Sequence, residues 1–181
     1  MQVLDFIQHN LRNDFLDIIM PIITYFGSGG IIWILAAFIF ISIKKYRLIG
    51  ISMIIALILS VLIGNVILKP LIARIRPFEV NTAIELLIGP PSDYSFPSGH
   101  TLSSFAVATT IFCINKRFGI IAVIMACLIA FSRLYLYVHY PSDVFGGLII
   151  GVSIGLLTYS IIKRLNEKVI MKHSKLSRYF C

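Results

Sequence analysis

The sequence predicts an all-α integral membrane bundle of about five transmembrane helices. An N-terminal helix lies at the interface or makes a sixth span. Three observations carry this reading. Of the 181 residues, 58% are hydrophobic and only 13% charged, against about 25% charged in an average soluble domain. The apolar residues fall in runs near the roughly 20 residues that cross a hydrocarbon core. Basic residues cluster between those runs rather than within them. Helices are required because lipid cannot satisfy free backbone N–H and C=O groups.

Residues 1–25 mix Asp5, Arg12, Asp14 and Asp17 with apolar residues at helical spacing, as in an amphipathic helix on an interface, with a cap-like break at Asn13-Asp14. Acidic residues stand where a signal peptide would be basic or apolar, so no cleavable signal is expected. Gly27, Ser28, Gly29 and Gly30 then punctuate the chain. The first span ends at Ile43 and begins at about Ile22 or Gly30. Leu48–Leu68, Phe118–Val138 and Val144–Ile162 are three more.

A shorter stretch, Thr101–Ile114, needs residues 96–100 to complete a crossing. Its Ser103, Ser104, Ala106, Ala108, Thr109 and Thr110 predict a place inside the bundle. Gly147, Gly151 and Gly155 recur every four residues, which predicts close contact of the last helix with a neighbour. Cys113 and Cys127 read as small core residues and Cys181 as a free terminal thiol, with no disulfide framework or zinc spacing. The whole chain, 1–181, reads as one domain: an N-terminal helix (1–25), a chemistry-bearing region (69–143) and a basic tail (163–181).

Charge orients the bundle. Lys44, Lys45 and Arg47, then Lys116 and Arg117, then Lys163, Arg164, Lys168, Lys172, Lys175 and Arg178 make eleven of the sixteen basic residues. With five spans they fall on one side, which is therefore expected to be cytoplasmic. The tail reads as a topology determinant against anionic lipid, not as a nucleic-acid site. Seven of the eight acidic residues fall on the opposite side.

That opposite face carries the chemistry. Lys69, Arg76 and Arg133 sit at membrane boundaries, where charge is costly unless it snorkels or is used. Each could snorkel separately. Span counting, however, places them on one face with His100, His139, Asp143 and the helix start at Ser98-Gly99. Arg forks match phosphate oxygens and Lys adds a point charge. A helix N-terminus with Gly favours close approach of an anion. The set reads as a phosphate cradle.

The two histidines extend that reading to a reaction. Asp143, four residues beyond His139, can hold one ring nitrogen, leaving the other to attack phosphorus. His100 can protonate the leaving oxygen and later activate water. Pro141 suits the first turn of the last helix. The outer carboxylates Glu79, Glu85, Asp93 and Asp143 form no dense cluster in sequence, and three nearby cations would repel a metal ion, so no metal or other cofactor is expected.

Lys69-Pro-Leu-Ile-Ala-Arg-Ile-Arg76-Pro77, Pro97-Ser98-Gly99-His100 and Ser132-Arg133-x5-His139-x3-Asp143 resemble, in order, the three signatures of the type 2 phosphatidic acid phosphatase superfamily. The resemblance implies a helical bundle that hydrolyses lipid phosphates through a phosphohistidine without metal. It implies His139 as nucleophile, His100 as acid/base and Asp143 as orienting partner, with Lys69, Arg76, Ser98, Gly99 and Arg133 binding phosphate. Arg74, His9 and His173 fall outside the matched positions and read as rim or surface residues.

The family's substrates include phosphatidic acid, phosphatidylglycerol phosphate, undecaprenyl diphosphate and sugar phosphates. The compact loops look most like the bacterial enzymes that recycle undecaprenyl diphosphate. The expected partners are therefore a lipid phosphate and membrane lipids, in the plasma membrane, with the site on the extracytoplasmic face. A phosphatidylglycerophosphate or phosphatidic acid phosphatase and a catalytically silent lipid-phosphate binder are the competing readings. A vanadate-dependent haloperoxidase would share the pocket, but those relatives are soluble.

Overall fold

The computed structural model describes the backbone of residues 1–177 and the side chains of residues 1–167. The tail residues Lys168, Lys172, Lys175 and Arg178, with His173 and Cys181, lie outside the residues described in that detail. Among the described residues every regular element is helical: α1 (Gln2–Asn10), α2 (Asp14–Gly27), α3 (Ile31–Ser42), α4 (Arg47–Ser60), a π-helical segment (Val61–Leu68), α5 (Lys69–Ile72), α6 (Pro77–Val80), α7 (Gly99–Ile114), α8 (Lys116–Tyr135) and α9 (Pro141–Ser177).

The N-terminal region divides where the sequence marks a break. Asn13 accepts a hydrogen bond from the Leu16 N–H and caps α2. α1 is the one N-terminal helix outside the stretch that runs on into α3. The helical, apolar stretch that can cross a membrane begins at Asp14 and runs to Ser42, earlier than the Ile22 or Gly30 start expected from hydropathy. A single 3₁₀ turn joins α2 to α3, with Gly29 and Gly30 both in the left-handed region (φ 58° and 71°). Side chains rarely adopt that conformation, so glycine here lets the chain bend without losing the span.

Among the described residues four helical stretches are long and apolar enough to cross a membrane, and α7 is a shorter apolar helix beside them. Much of their apolar surface faces outward: Phe15, Leu35, Ile39, Leu71, Ile121 and Phe145 are each at least 60% exposed. In lipid such a surface is solvated rather than penalised. Cys127 belongs to this outer surface and not to the core.

α7 is the central helix. Leu102, Ala106, Val107, Ala108 and Ile111 are buried, as are its Thr101, Ser104 and Thr110. Ser104 accepts the indole N–H of Trp33 at 3.0 Å, tying α3 to α7. α9 lies directly on α7. A Cβ added at Gly147, Gly151 or Gly155 would stand 2.9, 2.5 or 2.7 Å from the carbonyl oxygens of Ser98, Leu102 and Ala106. The four-residue glycine repeat is thus the close-contact face that the sequence predicts.

One end of the bundle is marked by Phe40, Tyr46 and Phe118, whose rings meet edge to face at 5.2–6.0 Å. This cluster brings the Lys44–Tyr46 turn beside the start of α8, so both short basic connections lie at the same end. At the other end α5, the N-terminus of α7, the C-terminus of α8 and the N-terminus of α9 converge. α8 stops at Tyr135, three residues before the predicted Val138. Tyr137 then takes a left-handed φ of 58° and the chain turns through residues 136–140 into α9.

Candidate active site

A cavity of about 340 Å³ opens at that second end. Lys69, Arg76, Gly99, His100, Arg133 and His139 line it. Four separate stretches of chain supply these groups, as the span count requires. Pro21, Thr24, Tyr25 and Ser28 of the first span form another wall, and Ile88, Gly89, Pro91 and Asp93 of the 81–98 loop close the mouth.

The cations are held rigidly. Arg76 is 2% exposed; its Nε donates to the Asp93 carbonyl at 2.7 Å and its Nη1 to the Val138 carbonyl at 2.7 Å. Arg133 is equally buried and donates to Thr24 Oγ1 at 2.5 Å, while its Nε has no partner. A buried guanidinium donor without an acceptor is costly, and a bound anion at the cavity would supply one. Lys69 follows the π-helical segment, a distortion that recurs at functional sites, and its ammonium group pairs with Asp93.

The start of α7 contributes backbone donors. Ser98 is its N-cap and accepts from the Thr101 N–H. The Ser98 hydroxyl is fully buried and also accepts the Thr101 hydroxyl at 2.9 Å, while the Ser98 N–H donates to the Asp143 carbonyl. Ser98 therefore shapes the helix start, and its side chain does not line the cavity. Gly99 does line it. A Cβ there would stand 3.7 Å from Lys69 Nζ and 3.2 Å from Asn65 Oδ1, narrowing the route to the lysine. The helix-start N–H groups beside Gly99 favour negative charge.

His139 is 1% exposed and lies in the turn before α9. Asp143 sits in the first turn of α9, so His139 Nδ1 stands 3.6 Å from Asp143 Oδ2 and 3.5 Å from Ser95 Oγ. Arg76 Nη1 stands 3.3 Å from His139 Nε2. A guanidinium can only donate, so Nε2 accepts and Nδ1 carries the proton. The unprotonated nitrogen thus faces Arg76. Burial, reinforced by the charges of Arg133 and Arg76, lowers the His139 pKa from 6.5 to about 3 against the opposing pull of Asp143. A pKa lowered in this way favours the neutral imidazole.

Asp143 is fully buried and saturated with donors. Ser95 Oγ and the Tyr140 N–H donate to Oδ2 at 2.5 and 2.9 Å, and Arg74 Nη1 donates to Oδ1 at 2.6 Å. Arg74 also covers the Tyr140 ring at 4.0 Å. Arg74, expected at the rim, is part-exposed and also grips the buried carboxylate behind His139. Only the i, i+4 spacing of His139 and Asp143 was visible in sequence. Neither Arg74 nor Ser95 carried a signal tying it to Asp143. Across the cavity, His100 Nε2 contacts Ser28 Oγ at 3.3 Å. A Cβ at Gly27 would press to 2.8 Å from the His100 ring, so that glycine makes room for it.

Asp93 was also missed as a site residue. Its carboxylate takes Lys69 with one oxygen and Arg76 Nη2 with the other, the latter at 2.6 Å. Partial burial alone would raise its pKa, but the lysine and arginine overcome this and hold it at about 2. Among the described residues no three His, Cys, Asp or Glu side chains come together as a metal-binding group.

A second cavity of about 590 Å³ shares Lys69, Asp93, Gly99 and His100 with the first. It runs along Gly30, Ile34, Phe38, Ile54, Leu57, Ile58, Val61 and Leu62, an apolar trough between α3 and α4 that opens from the polar cup toward the lipid-facing surface.

Comparison with known proteins fits this geometry. The sequence pattern of the PAP2 superfamily matches residues 47–167. The chain is 34% identical over 131 residues to an undecaprenyl-diphosphatase of Sulfolobus acidocaldarius, covering 72% of this chain and 63% of that protein. It is 32% identical over 178 residues to undecaprenyl-diphosphatase BcrC of Bacillus subtilis, covering 91% and 89%. A crystal structure of a transmembrane PAP2-type phosphatidylglycerolphosphate phosphatase from Bacillus subtilis superposes with a TM-score of 0.70 at 27% identity, over 93% of this chain and 84% of that one.

Proposed function

The chain belongs to the PAP2 superfamily, and from that premise we propose that it is a membrane phosphatase that removes a terminal phosphate from a lipid phosphate or diphosphate. The observation that carries this reading is the cup itself. Three buried cations, a helix start and a neutral imidazole with its lone pair turned inward surround one cavity. The adjoining apolar trough supports a lipid: a prenyl or acyl tail lies in it while the head group occupies the cup.

The reaction follows from the placement of the groups. His139 Nε2 attacks phosphorus in line, the P–N bond forms, and the P–O bond to the lipid breaks. His100 gives its proton to the leaving oxygen. A water then loses its proton to His100 and attacks the phosphohistidine; its oxygen bonds to phosphorus as the P–N bond breaks, releasing inorganic phosphate. Lys69, Arg76 and Arg133 hold the equatorial oxygens as charge shifts among them. Asp143, gripped by Arg74 and Ser95, fixes the tautomer and stabilises the positive charge His139 acquires.

We favour undecaprenyl diphosphate as substrate, because both relatives named above are undecaprenyl-diphosphatases. The likeness to the phosphatidylglycerolphosphate phosphatase makes phosphatidylglycerophosphate the second reading. The basic connections at the opposite end of the bundle support an extracytoplasmic cup, with α9 running toward the cytoplasm.

The test is a substrate panel. Wild type and His139→Ala are purified in one detergent and given undecaprenyl diphosphate, phosphatidylglycerophosphate and phosphatidic acid, with excess chelator and, separately, with vanadate. The expected result is highest kcat/KM on the diphosphate, full activity in chelator, inhibition by vanadate and no turnover by the folded variant. Undiminished turnover by His139→Ala removes the proposed nucleophile, and activity lost to chelator but restored by metal removes the mechanism.

A further inference from the structure

Asp93 occupies the seat that a substrate phosphate needs. Its two carboxylate oxygens pair with Lys69 and Arg76, two of the three cations that line the cup. The partners differ in freedom. The side chains of Lys69 and Arg76 are 8% and 2% exposed, whereas that of Asp93 is 51% exposed at the mouth. The backbone of Asp93 is itself anchored, through its carbonyl, by Arg76 Nε. The cations are therefore the fixed element, and the carboxylate can rotate into water without moving the loop.

We propose that Asp93 is a specificity-determining residue: an internal monoanion that a ligand must displace, so that the cup admits phosphomonoesters and terminal phosphates and rejects phosphodiesters. This deepens the lipid-phosphatase reading and rests on it. A diester carries one negative charge and two non-bridging oxygens. Exchanging it for Asp93 brings no charge gain, and Asp93 competes at the high effective concentration of a tethered group. A monoester or terminal diphosphate approaches two charges near neutral pH and presents three oxygens to Lys69, Arg76, Arg133 and the helix start. It outcompetes the carboxylate. The need is acute for a cup reached from the bilayer, where phosphodiester lipids are the surrounding solvent and far outnumber substrate.

The test compares wild type, Asp93→Asn and Asp93→Glu in detergent micelles, with and without a molar excess of phosphatidylglycerol as the diester probe. Orthophosphate and vanadate binding are measured by calorimetry on the same proteins. Asp93→Asn is expected to bind both anions about tenfold more tightly, the scale of one charge-assisted hydrogen bond. Its KM for the lipid phosphate falls, and it becomes inhibited by phosphatidylglycerol while wild type is not. Asp93→Glu keeps the wild-type discrimination.

Weaker anion binding by Asp93→Asn, or phosphatidylglycerol leaving it as active as wild type, overturns the proposal and makes Asp93 a mere organiser of the two cations. If wild type hydrolyses none of the lipid phosphates, the functional reading fails. The calorimetric arm then decides the role of Asp93 by itself: tighter binding by the Asn variant sustains it, and unchanged or weaker binding ends it.

Discussion

Replacing Asp143 by Asn removes one charge while leaving nearly the same shape, and the structure says which way the new amide will sit. Ser95 Oγ, the Tyr140 N–H and His139 Nδ1 all approach Oδ2, at 2.5, 2.9 and 3.6 Å, whereas Arg74 alone approaches Oδ1. An amide NH₂ turned toward the Oδ2 side would set a donor against buried donors, at about 1–3 kcal/mol for each group left unsatisfied. Turned toward Arg74, which is 36% exposed and free to swing into water, it costs much less. The Asn variant therefore keeps its carbonyl toward Ser95 and His139, and the fold survives.

Under the proposed mechanism, what Asp143→Asn loses is the anion beside the imidazole as His139 becomes positively charged during attack. Two unit charges about 4 Å apart interact by about 4 kcal/mol at an effective dielectric constant of about 20. That corresponds to about a thousandfold in kcat. The assay is steady-state hydrolysis of the best lipid phosphate, with thermal unfolding on the same preparation. The expected result is kcat down about a thousandfold with KM and Tm nearly unchanged, because Asp143 does not line the cup. A kcat within tenfold of wild type would refute the role assigned to this carboxylate.

Two further outcomes follow from the same structure. His139 is held neutral by burial, with its pKa lowered from 6.5 to about 3. A group whose pKa is depressed on folding contributes stability above its unfolded pKa and loses it as pH falls, so its share disappears between about pH 6.5 and about pH 3. Isotope-labelled histidine NMR on the ligand-free protein should show no titration of this ring between about pH 5 and about pH 8, and a midpoint near 6.5 would contradict the burial argument. Gly151→Val places a Cβ 2.5 Å from the Leu102 carbonyl and 3.1 Å from Phe105 Cβ. It should cost about 1–3 kcal/mol in overpacking, read as a lower Tm. It should also lower kcat, because it separates α7, which carries His100, from α9, which carries Asp143. Wild-type Tm and kcat together would show that the two helices tolerate separation.

Most of the architecture was legible before any coordinates. Hydrophobic run length, the basic connections and the glycine repeat are local properties of the chain, and lipid leaves a helical backbone few alternatives. The interior place of Thr101–Ile114 followed from its small and hydroxylated residues, and the α2 start from Asn13. Legibility faltered where helices end. The helical stretch able to cross a membrane begins at Asp14 because left-handed Gly29 and Gly30 let two helices act as one. α8 stops at Tyr135 because the Tyr137 turn aims His139 into the cup, and hydropathy cannot see a turn made of apolar residues.

The sequence by itself determined that three cations, two histidines and a helix start share one end of the bundle, since the parity of the crossings places them there. Only the tertiary structure decided what each group touches. Arg74 reaches Asp143 across 69 positions, Ser95 reaches it across 48, and Asp93 pairs with Lys69 across 24. The contacts of Ser95 and Asp93 depend on the path of the 81–98 loop over the cup, and a loop's path is set by packing at its ends rather than by any periodicity within it. The spacing of residues along a helix is dictated by bonded geometry; the meeting of side chains from separate helices exists only once the bundle has closed.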